Sequence, residues 1–334
     1  MTKEGNSPLV SFAVLSYNSG KYICECINSI LNLEGGYDFE IIVVDDASTD
    51  DSQSVVRSYT DGRVHFIFHE RNLGHAATVN DAMAAARGDY IARIDADDRY
   101  RPNFLTDTLK IFDKFPEVGL VYGDVDLIDE SGQITCERSD RVHGGRDFKG
   151  NEFVKLLEYN FICSPSVIAR RKAWKEVLPA PGELVFHDWY FTVMIARRHE
   201  FYYISKVVAD YRVHHSILHL ELARNKSFES SIFWFLDHIY SERERIPELE
   251  KEKVRRKGDV YGAQYVVMAN KYFGFGMYAD ARRCYLNALR FRPGYIMDMG
   301  LVRRLAGIFM GRRAYEFLKS IARALFKHFS RRQA

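Results

Sequence analysis

Residues 90–98 read Tyr-Ile-Ala-Arg-Ile-Asp-Ala-Asp-Asp, a short apolar run that ends in three carboxylates. Bounded by Gly88, the run reads as a buried strand. Carboxylates stacked at the exit of a buried strand repel one another unless a cation lies between them. Asp95 and Asp97, spaced as Asp-x-Asp, are therefore candidate ligands for a divalent metal. A metal held at such an edge has a phosphate as its natural partner. A solvated acidic turn is the simpler reading of Asp-x-Asp taken alone. The surrounding hundred residues decide between them.

Those residues alternate two periodicities. Leu9–Ser16 is a strand, followed by a turn at Tyr17-Asn18-Ser19-Gly20. Lys21–Leu33 carries apolar residues at helical spacing (Ile23, Ile27, Ile30, Leu31) and stops at Gly35-Gly36. Phe39–Val44 is a second strand, ending at Asp45-Asp46. Ser48–Tyr59 reads as a helix with Thr49 or Asp50 able to cap it. Val64–Phe68 is a third strand, Ala76–Arg87 an alanine-rich helix and Tyr90–Ile94 a fourth strand. Strands alternating with helices imply parallel pairing in an open α/β sheet. Such sheets collect ligands at the carboxyl ends of their strands. Ser16-Tyr17-Asn18, Asp45-Asp46 and Asp95–Asp98 are then expected to meet on one rim.

Beyond residue 115 the pattern loosens. Val118–Tyr122, Val125–Ile128 and Gln133–Glu137 are short strand candidates, the last two joined by a hairpin signal at 129–132. Phe153–Tyr159 and Trp189–Arg198 read as helices. Ser166–Ala169, Tyr202–Ile204 and Val207–Tyr211 read as strands. From about 221 the chain is helical and charged, and two domains are expected, at 1–220 and 221–334. Residues 258–294 resemble a single tetratricopeptide-type hairpin, with Ala279, Ala281, Tyr285, Ala288 and Leu289 on one face; any helical hairpin with small residues matches equally well.

Of the 334 residues 47% are hydrophobic and 28% charged, a composition that supports a packed core. The net charge of +2 conceals a division: residues 303–334 carry +8 and the rest of the chain −6. Five cysteines without a Cys-x-x-Cys pair fit a reducing compartment better than a disulfide framework. The first residues lack the order of a signal peptide, and no apolar stretch approaches the ~20 residues of a membrane span. A cytoplasmic protein is expected, with peripheral contact to the inner face of a membrane through 303–334. There Phe317, Ile321, Leu325 and Phe329 recur every four residues beside Lys319, Arg323 and Lys327. Docking on the catalytic domain, or on a second copy in a homodimer, is the competing use of that face.

The ordered series Ser-Tyr-Asn (16–18), Val-Val-Asp-Asp-Ala-Ser-Thr-Asp (43–50), Asn72-Leu-Gly74 with Ala77 and Asn80, Gly-Asp-Tyr-Ile (88–91) and Asp-Ala-Asp-Asp (95–98) before Pro102 and Leu105 resembles the family 2 glycosyltransferases of the GT-A fold. The likeness is close over 8–125 and looser to 215. It implies a mostly parallel mixed sheet flanked by helices, to which the helical region from about 221 is a C-terminal extension. It also implies a nucleotide-diphosphate sugar donor (UDP-, dTDP- or GDP-linked), Mn²⁺ or Mg²⁺, and transfer with inversion to a glycan or lipid-linked acceptor. By resemblance Asp97 is the metal ligand, and Asp95 contacts the ribose or the metal. Asp98 holds the loop or the donor sugar. Asp46, or its neighbour Asp45, binds the nucleobase, Tyr17 flanks it, and Ser16 and Asn72 complete the donor-binding set. Val-Phe-His-Asp-Trp-Tyr (185–190) resembles the family's acidic motif in a rhamnosyltransferase-like His-Asp-Trp form, which makes Asp188 the general base. A helix N-cap is its ordinary alternative, and His187 is the fallback base or a packing residue. His214 completes the metal shell or is an ordinary surface or core histidine. Arg212 binds the diphosphate or a surface partner. Ser164 and Ser166 with Arg170 and Arg171 are expected on the acceptor side. Asp81, where many relatives have glycine, and His75, beside Gly74, depart from the family pattern near the donor sugar.

Two other enzyme classes fit less well. A sugar nucleotidyltransferase needs a Gly-rich N-terminal loop that Ser16–Gly20 does not supply. A nicotinamide dehydrogenase needs Gly-x-Gly-x-x-Gly after the first strand. A non-catalytic nucleotide-sugar-binding scaffold acting through the helical tail is the third alternative. Nucleic-acid binding finds little support, since the basic groups cluster in the tail and the sheet rim is acidic.

Overall fold

The computed structural model describes residues 8–138, 142–182, 184–213 and 217–310. His214 and the periodic segment 317–329 lie outside the described residues. The chain forms two compact units, residues up to 156 with 160–215, and 157–159 with 216–334.

The first unit runs β1 (Val10–Ser16), α1 (Ile23–Leu31), β2 (Phe39–Asp45), α2 (Ser52–Arg57), β3 (Val64–Phe68), α3 (His75–Ala85), β4 (Tyr90–Asp95), β5 (Arg99–Tyr100), α4 (Phe104–Lys114), β6 (Val118–Ile128), β7 (Ile134–Cys136), β8 (Phe148–Gly150), α5 (Phe153–Glu158), β9 (Ile168–Arg170), α6 (Arg171–Lys175), α7 (His187–Ala196) and β10 (Glu200–Arg212). Its sheet has the order β3-β2-β1-β4-β9-β6-β10-β5, with β7 on β6 and β8 on β10. β3, β2, β1 and β4 are parallel; β9 is antiparallel to both β4 and β6. Fully buried Phe12, Val14, Ile27, Ile94, Phe104 and Val121 contribute to the core between the sheet and its helices.

Among the differences from the sequence expectation, three have a clear local reason. β6 is one strand, not two: the apparent break at Gly123 is where a Cβ would lie 2.8 Å from the Lys206 carbonyl, so glycine admits the neighbouring β10. β10 is likewise continuous across residues 200–212, with register irregularities between Ile204 and Ala209. α2 begins four residues late because Asp50 spends its carboxylate on the Gly20 and Ser52 amides, and Ser48 is held by Asp45, which keeps this stretch in a turn.

The second unit contains α8 (Ile217–Arg224), α9 (Ser227–Ser241), α10 (Pro247–Gly274), α11 (Tyr278–Phe291) and α12 (Met299–Met310). α11 buries Ala281, Cys284, Tyr285 and Ala288, whereas Ala279 is exposed. Lys253 is buried and neutralised by Glu244 at 3.0 Å and Glu250 at 2.9 Å. Among the described residues no helix is long and apolar enough to cross a membrane.

Candidate active site

Register brings the three strand exits together. Ser16 pairs with Asp45 across β1 and β2, and Leu15 with Asp95 across β1 and β4. The chain leaves all three strands at the same rim, as the alternating pattern requires.

The β2 exit is wrapped by its own loops. Asp45 accepts from Ser16 Oγ (2.8 Å), Ser48 N (2.9 Å), Ser48 Oγ (2.5 Å) and Gln53 Nε2 (2.8 Å). Asp46 accepts from the Leu73 and Gly74 amides at 2.7 and 2.8 Å and meets His69 Nδ1 at 2.8 Å. Burial raises the Asp46 pKa, but His69 and the two amides outweigh it and leave the group below its usual value. Gly74, at φ +85°, makes the turn that aims both amides inward. His69 continues to Asp81 at 3.0 Å, so the departure at position 81 closes a chain Asp46–His69–Asp81. Both carboxylates at this exit are thus engaged internally, Asp45 by four donors and Asp46 by three. Tyr17 is half-exposed and Asn72 exposed, both open to solvent beside this rim.

The β4 exit gathers charge. Asp95 is held down to about 2, against burial, by Arg93 and His75. Asp98 is buried and pushed well above the usual carboxylate range by burial, then by Asp97 and Asp95. Its Oδ1 takes the Arg212 amide at 2.8 Å, while Oδ2 has no hydrogen-bond partner among the described residues. Arg212 is not available to a diphosphate: its guanidinium donates to the Asp97 and Asp129 carbonyls and to Glu25, and covers the Tyr22 ring. It ties down the Asp97 loop through that carbonyl. Among the described residues no three His, Cys, Asp or Glu side chains form a ready metal cage. The carboxylate oxygens of Asp95 and Asp97, with the unbonded Oδ2 of Asp98 near them, nevertheless fit a hard divalent cation.

Asp188 lies in the first turn of α7, with one carboxylate oxygen on Arg93. It is not the helix cap; Phe186 holds that position without a side-chain bond. The Arg93 side chain is 2% exposed and reaches Ser164 Oγ, Asp188 Oδ1, His75 Nε2 at 3.2 Å and Asp95 at 3.8 Å. His75 stacks on His187, their Nδ1 atoms 3.0 Å apart; burial and His75 lower the His187 pKa to about 4, and its Nε2 faces the Pro181 carbonyl. That environment makes His187 a packing residue. Sequence reasoning passed over Arg93 inside an apparently apolar run, yet a lone arginine in a buried strand demands partners and was the available signal. Arg170 and Arg171 are not on this side. Arg170 pairs with Tyr90 at the start of β4 and spends its guanidinium on the Val118 and Phe112 carbonyls, roughly 17 Å along the strand from Asp95 at ~3.3 Å per residue.

Residues 11–178 match the profile described as Glycosyl transferase family 2. An uncharacterized glycosyltransferase of Methanocaldococcus jannaschii, MJ1057, is 32% identical over 218 residues, 64% of this chain and 73% of its own length. Chondroitin synthase of Escherichia coli is 35% identical over 129 residues, 38% of this chain and 18% of that protein. Among solved structures, the mannosyltransferase PcManGT of Pyrobaculum calidifontis, in complex with GDP-Man and Mn²⁺, superposes with a TM-score of 0.59 at 17% identity, covering 96% of this chain and 80% of that one. A mixed sheet of this order with acidic strand exits on one rim defines a GT-A glycosyltransferase. The chain belongs to glycosyl transferase family 2.

Proposed function

We propose that the chain transfers a sugar from a nucleoside-diphosphate donor to a hydroxyl of a glycan or lipid-linked acceptor, with inversion at the anomeric carbon. One observation carries this reading: Asp188 and Asp95 lie on the same buried guanidinium, one on a helix and one at a strand exit. Asp188 then takes the acceptor proton as the hydroxyl oxygen attacks the anomeric carbon and the glycosidic bond to the diphosphate breaks. Asp95 and Asp97 would hold a divalent cation, Mn²⁺ or Mg²⁺, with His214 as an added ligand; such an ion neutralises charge on the departing diphosphate. The Mn²⁺ and GDP-Man bound to PcManGT support that choice of cofactor and donor class. The likeness to chondroitin synthase supports a growing polysaccharide as acceptor.

A thermal-shift panel of UDP-N-acetylglucosamine, UDP-glucuronate, GDP-mannose and dTDP-rhamnose, with and without Mn²⁺, tests the reading. At a hundredfold excess over Kd a ligand adds about 2.7 kcal/mol, a rise of several degrees for one nucleotide class. Asp97→Ala should erase the Mn²⁺-dependent part and leave the unliganded melting point in place. A panel in which no nucleotide sugar moves the melting point, or in which Asp97→Ala keeps the full Mn²⁺ effect, contradicts it.

A further inference from the structure

Arg93 occupies the middle of β4, where its neighbours Ala92 and Ile94 are wholly buried. A guanidinium there is costly unless each of its faces finds a partner. It has them from four separate segments: Ser164 before β9, Asp188 in the first turn of α7, His75 in the first turn of α3, and Asp95 two residues along its own strand. Burial alone would depress the Arg93 pKa; Asp188 first and Asp95 second reverse this and raise it. Asp188, by contrast, is 37% exposed, and among the described residues its carboxylate is bonded through Oδ1 alone.

A carboxylate on the first turn of a helix, left to itself, samples several rotamers. With Oδ1 clamped on Arg93, the side chain is tethered and Oδ2 is the oxygen without a hydrogen-bond partner among the described residues. Ser164 and His75 in turn hold the clamp: Nη2 serves Ser164 and Asp188 together, and Nη1 meets His75. We propose that Arg93 is a positioning residue: it holds the Asp188 carboxylate at a fixed place relative to the β4 exit, and so sets the separation between the proton acceptor and the leaving diphosphate. The inference rests on the reading of Asp188 as general base, and it adds a strand-borne residue through which that base is aligned.

The full chain is tested with Mn²⁺ and the nucleotide sugar selected by the thermal-shift panel. Two quantities are followed: release of nucleoside diphosphate to water, which needs no acceptor, and donor Kd by calorimetry. In that reaction water attacks the anomeric carbon, its proton passes to Asp188 and the nucleoside diphosphate departs. Arg93→Gln is expected to lower kcat by about 100-fold, the low end of what an aligned base supplies, with Kd changed less than about 3-fold. Arg93→Lys, which keeps the charge but loses the fork, is expected to lose about 10-fold. Arg93→Ala should be partly rescued by added guanidinium. Because Arg93 acts through Asp188, the double variant Arg93→Gln/Asp188→Asn should be no slower than Asp188→Asn alone.

Wild-type kcat in Arg93→Gln, with Asp188→Asn inactive, overturns the positioning role and leaves the base intact. Multiplying losses in the double variant overturn it too, as does a Kd loss at unchanged kcat, which would make Arg93 a donor-binding group. An active Asp188→Asn removes the base reading itself. Should Arg93→Gln fail to fold, Arg93→Lys decides: a folded variant with wild-type kcat overturns the inference, and one slowed at unchanged Kd supports it.

Discussion

Asp46 accepts two main-chain amides, from Leu73 and Gly74, and a ring nitrogen of His69. A side chain so occupied has little left with which to recognise a base, but it can hold the 72–74 loop, which carries Asn72, against the strand exits. Two roles are thereby separable. Hydrogen bonds to a charged group contribute about 1.5–3 kcal/mol each, and an asparagine at 46 would retain part of them. Asp46→Asn is expected to lower stability by about 2 kcal/mol and to speed hydrogen exchange at the Leu73 and Gly74 amides by about 10-fold or more. Donor affinity would fall as a consequence of the loosened loop. Weakened donor binding with unchanged amide exchange would instead show direct contact with the base. The sequence disclosed that Asp45 and Asp46 stand at a strand exit, because strand period and chain reversal are local signals. It did not disclose what the carboxylates bind, since His69 and Gly74 arrive more than twenty residues later from a loop with no periodicity. Arg93 was obscured for the same reason: its partners at 75, 164 and 188 share no motif with it.

At the scale of elements, α4 shows how a helix is tied to the strand beside it. Asp107, in its first turn, accepts from Asn103 at 2.9 Å, Lys110 at 2.6 Å and Lys206 of β10 at 2.7 Å. Burial works against its ionisation; Asn103 and the two lysines overcome it and bring the pKa down to about 2. The folded value lies below the unfolded value near 3.9. The stabilisation is therefore fully present above about pH 4 and is lost as pH falls through about 2, because the unfolded state then binds the proton more tightly. The difference corresponds to about 2 kcal/mol. Asp107→Asn should lower the urea midpoint at pH 7 and flatten the fall in stability between pH 4 and 2; identical acid profiles for both proteins would remove α4 from the account. The first four strands and their helices were legible because each carries its own period. β6 and β10 were read in fragments because Gly123 and the irregular stretch near Ser205 interrupt that period where two strands approach closely.

For the whole molecule the informative quantity is the separation of charge: −6 over the first 302 residues and +8 over 303–334. The described part of that basic stretch adjoins a run of uncovered apolar side chains: Ile296, Met297, Met299, Phe309 and Met310 are 58–81% exposed, close in sequence to Arg303 and Arg304. Apolar side chains beside basic ones suit the boundary of an anionic bilayer, where each Lys or Arg contributes about 1 kcal/mol at low salt and the apolar groups insert. An acidic body is at the same time repelled from that surface, so binding through any other stretch is disfavoured. The protein is expected to sediment with phosphatidylcholine vesicles containing phosphatidylglycerol at low salt, and to be released at about 0.5 M salt, where the Debye length falls to a few ångströms. Pure phosphatidylcholine should capture far less. Deleting 303–334 should abolish capture. Replacing Met297 and Phe309 by serine should weaken it at every salt concentration, since that change removes inserted area and no charge. Capture that survives the deletion, or that ignores both salt and lipid charge, would assign the exposed apolar run to a protein partner, and concentration-dependent sedimentation of the free chain would identify that partner as a second copy.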